Sequence, residues 1–159
     1  MKALDTGLLD FEIEFKNGDK GILSFNPNDI MFYDELAKLE SKMKDIYSEY
    51  ENFTTVNENN VAEITSKMRN ETCEKIKNEF DSLFGVGASA VIFKYSSPIS
   101  FVRETYYPYY FLNEFLPDVA KVMSKTNAKA AENAKKMFAH TAKYANRKYL
   151  CGNYQNQLK

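Results

Sequence analysis

The chain opens on an alternation: Leu9, Phe11, Ile13 and Phe15 interleave with Asp10, Glu12 and Glu14, the two-residue period of a strand that buries one face. Lys16-Asn17-Gly18-Asp19-Lys20 follows and Gly21-Ile22-Leu23-Ser24-Phe25 returns. Asn-Gly between two apolar alternations signals a β-hairpin, because the tight turn needs residues that accept positive φ. This places a hairpin at residues 8–25. Two strands alone are marginal in water, so their apolar face must rest on helices or join a sheet from another subunit.

The period then changes. Asn26-Pro27-Asn28-Asp29 stops the second strand and offers side chains able to cap a helix. From near Ile30, Leu36, Leu39, Met43, Ile46, Tyr47 and Tyr50 recur at steps of three and four, with Lys38, Glu40, Lys42, Lys44 and Glu49 on the other side, which predicts an amphipathic helix. The polar stretch from Glu51 to Asn60 reads as a loop. Val61, Ile64, Met68, Ile76, Phe80 and Leu83 mark a second long helix with Thr72 on the same face, and it ends at Gly85, where glycine can take a left-handed cap.

Gly85 to Phe93 is a turn leading into a short buried segment whose type the pattern leaves open. Pro98 and Pro108 punctuate the next part, and Pro117 is expected to interrupt or kink the helix holding Phe111, Leu112, Phe115 and Leu116. From Asp118 an Ala- and Lys-rich sequence almost without breakers predicts helix to Tyr149, with Ala128, Ala131, Lys135, Phe138, Ala142, Ala145 and Tyr149 on one stripe. That stripe holds few large apolar side chains, so such a helix either extends from the body or packs loosely until a partner arrives. The expected fold class is α+β, mainly α: a single domain over residues 1–150, with an N-terminal β-hairpin followed by a helical domain (29–149) of four or five helices, and a flexible tail over 151–159.

Composition refines this picture. The chain has 159 residues, enough for one core without disulfide or metal staples. With 12 Phe and 11 Tyr but no Trp, six-membered rings carry much of the apolar area. The formal net charge of -1 hides a division: residues 1–80 hold 10 Lys/Arg against 17 Asp/Glu, whereas residues 119–159 hold 9 Lys/Arg against Glu132 alone. Such asymmetry implies either packing of one end on the other or two faces for different partners. No apolar run is long enough to cross a bilayer, and acids stand where a signal peptide needs an apolar stretch. A cytoplasmic location is therefore expected, with Cys73 and Cys151 as free thiols. The acceptor-like triplets at Asn52 and Asn70 then read as chance matches.

Little in the sequence carries reaction chemistry. Gly85-x-Gly87-x-x-Ala90 fits a relaxed dinucleotide fingerprint, but that motif needs a preceding strand. Here the preceding stretch is helical, so a helix stop is the better reading. His140 is the only histidine and has no adjacent nucleophile. Cys73 stands between Glu71 and Glu74, which oppose a reactive thiolate. Glu114 with Asp118, and Asp10, Glu12 and Glu14 on the strand, read as solvated edges, the strand acids also guarding against unwanted pairing. No catalytic, cofactor or metal site is expected. The candidates for partner contact are Tyr106, Tyr107, Tyr109 and Tyr110, because so dense an aromatic run cannot all face inward. To these the basic end adds Lys135, Lys136, Lys143, Arg147 and Lys148, which could meet phosphates, an acidic protein or only solvent.

The order of parts resembles the small tail assembly chaperones of Firmicute siphophages and prophages: the hairpin, the Asn-Pro-Asn-Asp entry into a long charged helix, Leu83-Phe84-Gly85-x-Gly87 closing the second helix, Phe111-Leu112-Asn113-Glu114-Phe115-Leu116-Pro117, and a basic C-terminus. The resemblance covers most of residues 9 to 150. It implies a non-enzymatic factor in the bacterial host cytoplasm that binds the tape measure protein and assists assembly of tail tube subunits around it. Self-association is compatible with that role. A phage or prophage virion structural protein of head, connector or tail, and a nucleic-acid-binding regulator using the basic C-terminal helix, are the alternatives.

Overall fold

In the computed structural model, which describes residues 1–56 and 62–126 and the single positions 132 and 136, the N-terminal alternation forms β1 (Leu9–Glu14) and the returning segment forms β2 (Lys20–Phe25). They pair antiparallel, Leu9 opposite Phe25 and Glu14 opposite Lys20. Gly18 takes φ +89 at the turn, a conformation that costs glycine little. Its N–H donates to the Phe15 carbonyl at 2.8 Å, while the Phe15 N–H donates to the Asp19 carbonyl at 2.8 Å.

Asp29 caps the first helix, α1 (Ile30–Val56), by accepting the Met31 N–H at 3.0 Å. The loop expected from Glu51 to Asn60 is corrected: α1 continues to Val56, since 51–56 contains neither Gly nor Pro and each added residue extends an existing hydrogen-bond ladder. Residues 57–61 lie outside the described residues. The second helix, α2 (Ala62–Phe84), runs antiparallel to α1, as the ion pairs Lys42–Glu79 (3.2 Å) and Glu49–Lys75 (3.7 Å) show. Leu36, Leu39, Met43 and Tyr47 of α1 meet Ile76, Phe80, Leu83 and Phe84 of α2 in one core. Thr72 is buried with them and donates its hydroxyl to the Met68 carbonyl at 2.8 Å, one turn back.

Gly85, at φ +101, ends α2 and donates its N–H to the Asp81 carbonyl at 2.9 Å. The segment of open type is a short helix, α3 (Ala88–Ile92). A second, minimal hairpin follows, β3 (Phe101–Val102) and β4 (Thr105–Tyr106), turned by Arg103 and Glu104 at φ 51 and 66. The last described helix is α4 (Tyr107–Thr126). Pro108 falls in its first turn, where a missing N–H costs nothing. Of the interruption or kink expected at Pro117, the interruption does not occur: Pro117 sits inside the helix on its exposed side, having no N–H to offer the Asn113 carbonyl. The helix predicted from Asp118 thus begins at Tyr107, and its course beyond Thr126 lies outside the described residues apart from Glu132 and Lys136. The architecture is α+β and mainly α, with four helices among the described residues behind an N-terminal hairpin.

What unites these parts is phenylalanine. Phe25 stacks on Phe11 (4.8 Å between ring centroids) and Phe32 (5.1 Å) and meets the edge of Phe84 (5.1 Å). Phe115 of α4 joins Phe84 at 5.8 Å and Phe11 at 5.8 Å. Burial of each such ring contributes roughly 1.5–3 kcal/mol, so the hairpin is held by the cluster and not by its own ladder.

Candidate polypeptide-binding groove

The two-stranded sheet leaves the outer edge of β1 without a neighbouring strand among the described residues. Along that edge runs a groove of about 490 Å³. Six consecutive residues, 12–17, form one wall, so it is the strand's edge and the turn beyond it that face the space. The opposite wall is one face of α4: Tyr107, Tyr110, Phe111, Glu114, Phe115 and Asp118, spaced as a helix repeats. Tyr95 and Ser96, from the segment after α3, complete the lining.

The walls are held in register by local chemistry. At the hairpin turn the Asp19 carboxylate accepts hydrogen bonds from the Lys94 ammonium and the Tyr95 hydroxyl. The Lys94 bond, first of all, then that of Tyr95, holds this carboxyl down at about 2. Tyr95 in turn sets its ring against the edge of Phe15 at 5.0 Å. On the helix side the Tyr107 hydroxyl donates to the Ile92 carbonyl at 2.9 Å, and burial pushes its pKa up. Its ring lies 6.3 Å from that of Tyr110, over which the Arg103 guanidinium sits at 5.7 Å. Phe111 and Phe115, stacked at 5.0 Å, belong to the phenylalanine cluster and give the groove an apolar base.

The rim is acidic. Glu12, Glu14, Glu114 and Asp118 line the groove against one cation, Lys16. Glu12 pairs with Lys20 at 3.1 Å and Asp118 with Lys121 at 4.0 Å, all four side chains more than half exposed; such pairs are worth at most about 1 kcal/mol. Among the described residues Glu14 and Glu114 have no ion pair. No His or Cys lines the space, and no group of three metal-ligating side chains occurs among the described residues. An open strand edge, exposed rings and carboxylates can satisfy the backbone, apolar and cationic groups of a peptide.

The structure divides the sequence candidates. Tyr106 and Tyr109 are core residues, 3% and 2% exposed, so neither is on the surface where contact was expected. Tyr106 stacks on Tyr47 at 3.9 Å and donates its hydroxyl to Glu51 at 3.1 Å. Tyr107 and Tyr110 are half-buried and face the groove. Lys136 is exposed, whereas Lys135, Lys143, Arg147, Lys148, His140 and Cys151 lie outside the described residues. Glu12, Glu14, Glu114 and Asp118, read from sequence as two separate solvated edges, converge on one rim. Phe15 and Tyr95 were missed as site residues, and nothing local marks Tyr95.

The Gly85-x-Gly87 turn is structural. It follows a helix, and the Asp81 carboxylate already accepts the Ser89 N–H at 2.7 Å and the Ser89 hydroxyl at 3.0 Å at the start of α3. A phosphate there would meet a carboxylate instead of free amides. At Cys73 partial burial, before any neighbouring charge, raises the thiol pKa, which disfavours the thiolate.

No family model, curated protein or solved structure matches this chain. No helix among the described residues is long and apolar enough to cross a membrane.

Proposed function

We propose that this protein is a non-enzymatic phage or prophage tail assembly chaperone that holds segments of the tape measure protein and assists tail tube assembly. The observation that supports this reading is the groove: an unpaired strand edge facing an aromatic helix face across about 490 Å³, which suits a polypeptide better than a small reactant. A long partner passes through assembly with apolar stretches exposed, and such a groove covers them reversibly.

The test is co-expression with a candidate tape measure protein, followed by affinity capture. The wild-type chain should retain that protein. Tyr110→Ser combined with Glu14→Lys should lower retention about tenfold, the scale of losing a contact worth ~1.4 kcal/mol. Finding the chain at stoichiometric level in purified particles would replace this reading with a virion structural protein. Retention on DNA with a steep loss in salt would replace it with a nucleic-acid-binding regulator.

A further inference from the structure

We infer that Arg103 is a positioning residue of the groove: its guanidinium, delivered by the strained tip of the β3–β4 hairpin, fixes the Tyr110 ring in the orientation that meets a polypeptide. The inference rests on the groove being a polypeptide site, as proposed above, and adds what holds one of its rings ready.

The backbone is the first observation. Arg103 and Glu104 are the two turn residues that follow the pairs Phe101–Tyr106 and Val102–Thr105, and both sit at positive φ, 51 and 66. A residue with a Cβ is disfavoured there, and a two-residue hairpin turn of this kind ordinarily takes Asn or Gly. Among the described residues these are the non-glycine positions with positive φ, the others being Gly7, Gly18, Gly85 and Gly87. Strain of this sort persists only where the surroundings over-determine it. A ladder of two residue pairs is too short to do so, so the cause lies in what the hairpin touches.

Two ring contacts supply it. Phe101 stacks on Tyr106 with centroids 4.5 Å apart, and Tyr106 stacks in turn on Tyr47, which fastens the base of the hairpin to the core. At the tip the Arg103 guanidinium lies 5.7 Å from the centroid of the Tyr110 ring, within the range at which a cation is attracted to an aromatic face. The Tyr107 N–H donates to the Ser100 carbonyl at 2.8 Å, so the hairpin and the first turn of α4 share one junction.

Tyr110 is the groove tyrosine that needs such a partner. Tyr107 donates its hydroxyl to the Ile92 carbonyl and Tyr95 donates to Asp19, so each is pinned through its oxygen. The half-buried Tyr110 ring is held by softer contacts, the tilted ring of Tyr107 at 6.3 Å and the guanidinium. A ring fixed before the partner arrives loses less freedom on binding. Asn or Gly at position 103 would ease the turn but remove the cation, which accounts for the strain retained there. Glu104 shares the strain but not the guanidinium, so position 104 separates turn shape from charge.

Two readouts on the full-length chain test this. In arginine-labelled protein, whose three arginines are Arg69, Arg103 and Arg147, NMR should show the Arg103 side-chain protons displaced upfield by the Tyr110 ring, and Tyr110→Ser should return them to their ordinary position. The second readout is capture of the candidate tape measure protein. Arg103→Asn combined with Glu104→Gly gives the turn its preferred residues and removes the cation. It should match or exceed the wild-type denaturant midpoint yet lower capture about three- to fivefold, the scale of an exposed cation–π contact. Glu104→Gly alone should leave the Arg103 shift and capture at wild-type level. Arg103 protons unmoved by Tyr110→Ser overturn the inference. So does an equal loss of capture in Glu104→Gly, which would make turn shape the cause. Wild-type capture by the double variant, with capture lost in Tyr110→Ser, sinks this inference and leaves the proposed function standing. No capture by the wild-type chain overturns the proposed function, and this inference with it.

Discussion

The rings of Phe11, Phe25, Phe32, Phe84 and Phe115 and those of Tyr47 and Tyr106 are all buried, but different physics fixes each set. Phenylalanine has no polar handle, so Phe11, Phe25, Phe32, Phe84 and Phe115 are positioned only by one another's shapes, with centroids between 4.8 and 6.1 Å apart in the contacts of Phe25. That cluster brings together β1, β2, α1, α2 and α4. At the tyrosine end Tyr47 and Tyr106 lie nearly parallel at 6°, and each hydroxyl has a designated acceptor, the Pro98 carbonyl at 2.6 Å and Glu51 at 3.1 Å. Burial holds the pKa of both hydroxyls well above the ordinary tyrosine range, so they remain donors across the accessible pH range. The phenylalanine end supplies most of the apolar association, and the tyrosine end fixes where the loop before β3 must lie. The groove begins between them, where Tyr107 and Tyr110 turn outward.

The severest way to break the comparison is Phe84→Ala. Phe84 touches Phe25, Phe32, Phe80, Phe111 and Phe115, so its removal should cost about 3–5 kcal/mol, read as a fall in the denaturant midpoint. A loss under about 1 kcal/mol would mean that the hairpin does not depend on the cluster. Next comes Gly21, where β2 passes over α3. A Cβ there would stand 2.4 Å from Val91 Cγ1, so Gly21→Val should cost roughly 1–3 kcal/mol through overpacking. A neutral result would show that the sheet floats on α3 instead of pressing on it.

Legibility followed the range of the cause. The first hairpin was readable because its causes are local: alternation on both strands and Asn17-Gly18 between them. The end of α2 at Gly85 and the amphipathic character of α1 and α2 were readable for the same reason. The second hairpin was not, because Arg103 and Glu104 hold positive φ without the Asn or Gly that usually announces it. The tyrosine run marked a special region without showing which rings turn inward, since that depends on where α4 begins and what α1 presents to it. The groove was invisible because its walls, residues 12–17 and 107–118, lie about a hundred positions apart in sequence, and only the packed cluster brings them face to face.

A milder cut separates the two ring sets by chemistry. Tyr47→Phe keeps the ring and its stack on Tyr106 but leaves the Pro98 carbonyl without its hydroxyl donor. The expected cost is about 1–2 kcal/mol, with the phenylalanine end intact. Near-ultraviolet circular dichroism would show a local change at the tyrosines with native helicity retained. Wild-type stability in the variant would mean that ring stacking alone fixes the tyrosine end, and the contrast between the two ends would collapse.

The smallest effect concerns the tie at the mouth of the groove, where the hairpin turn is held by neither ring set. Asp19 accepts from Lys94 and Tyr95, and its carboxyl sits near 2 against an ordinary 3.8. Because the folded-state value is the lower one, its contribution is complete above the unfolded value and is lost as pH falls through about 2. The tie is exposed and screened by solvent, so a small change is expected. Wild-type protein should lose more stability than Asp19→Asn between pH 5 and pH 2, with the two curves drawing together at the acid end. Parallel curves would mean that Asp19 contributes nothing to the turn, leaving Phe15 and the edge contact of Tyr95 to hold that end of the groove.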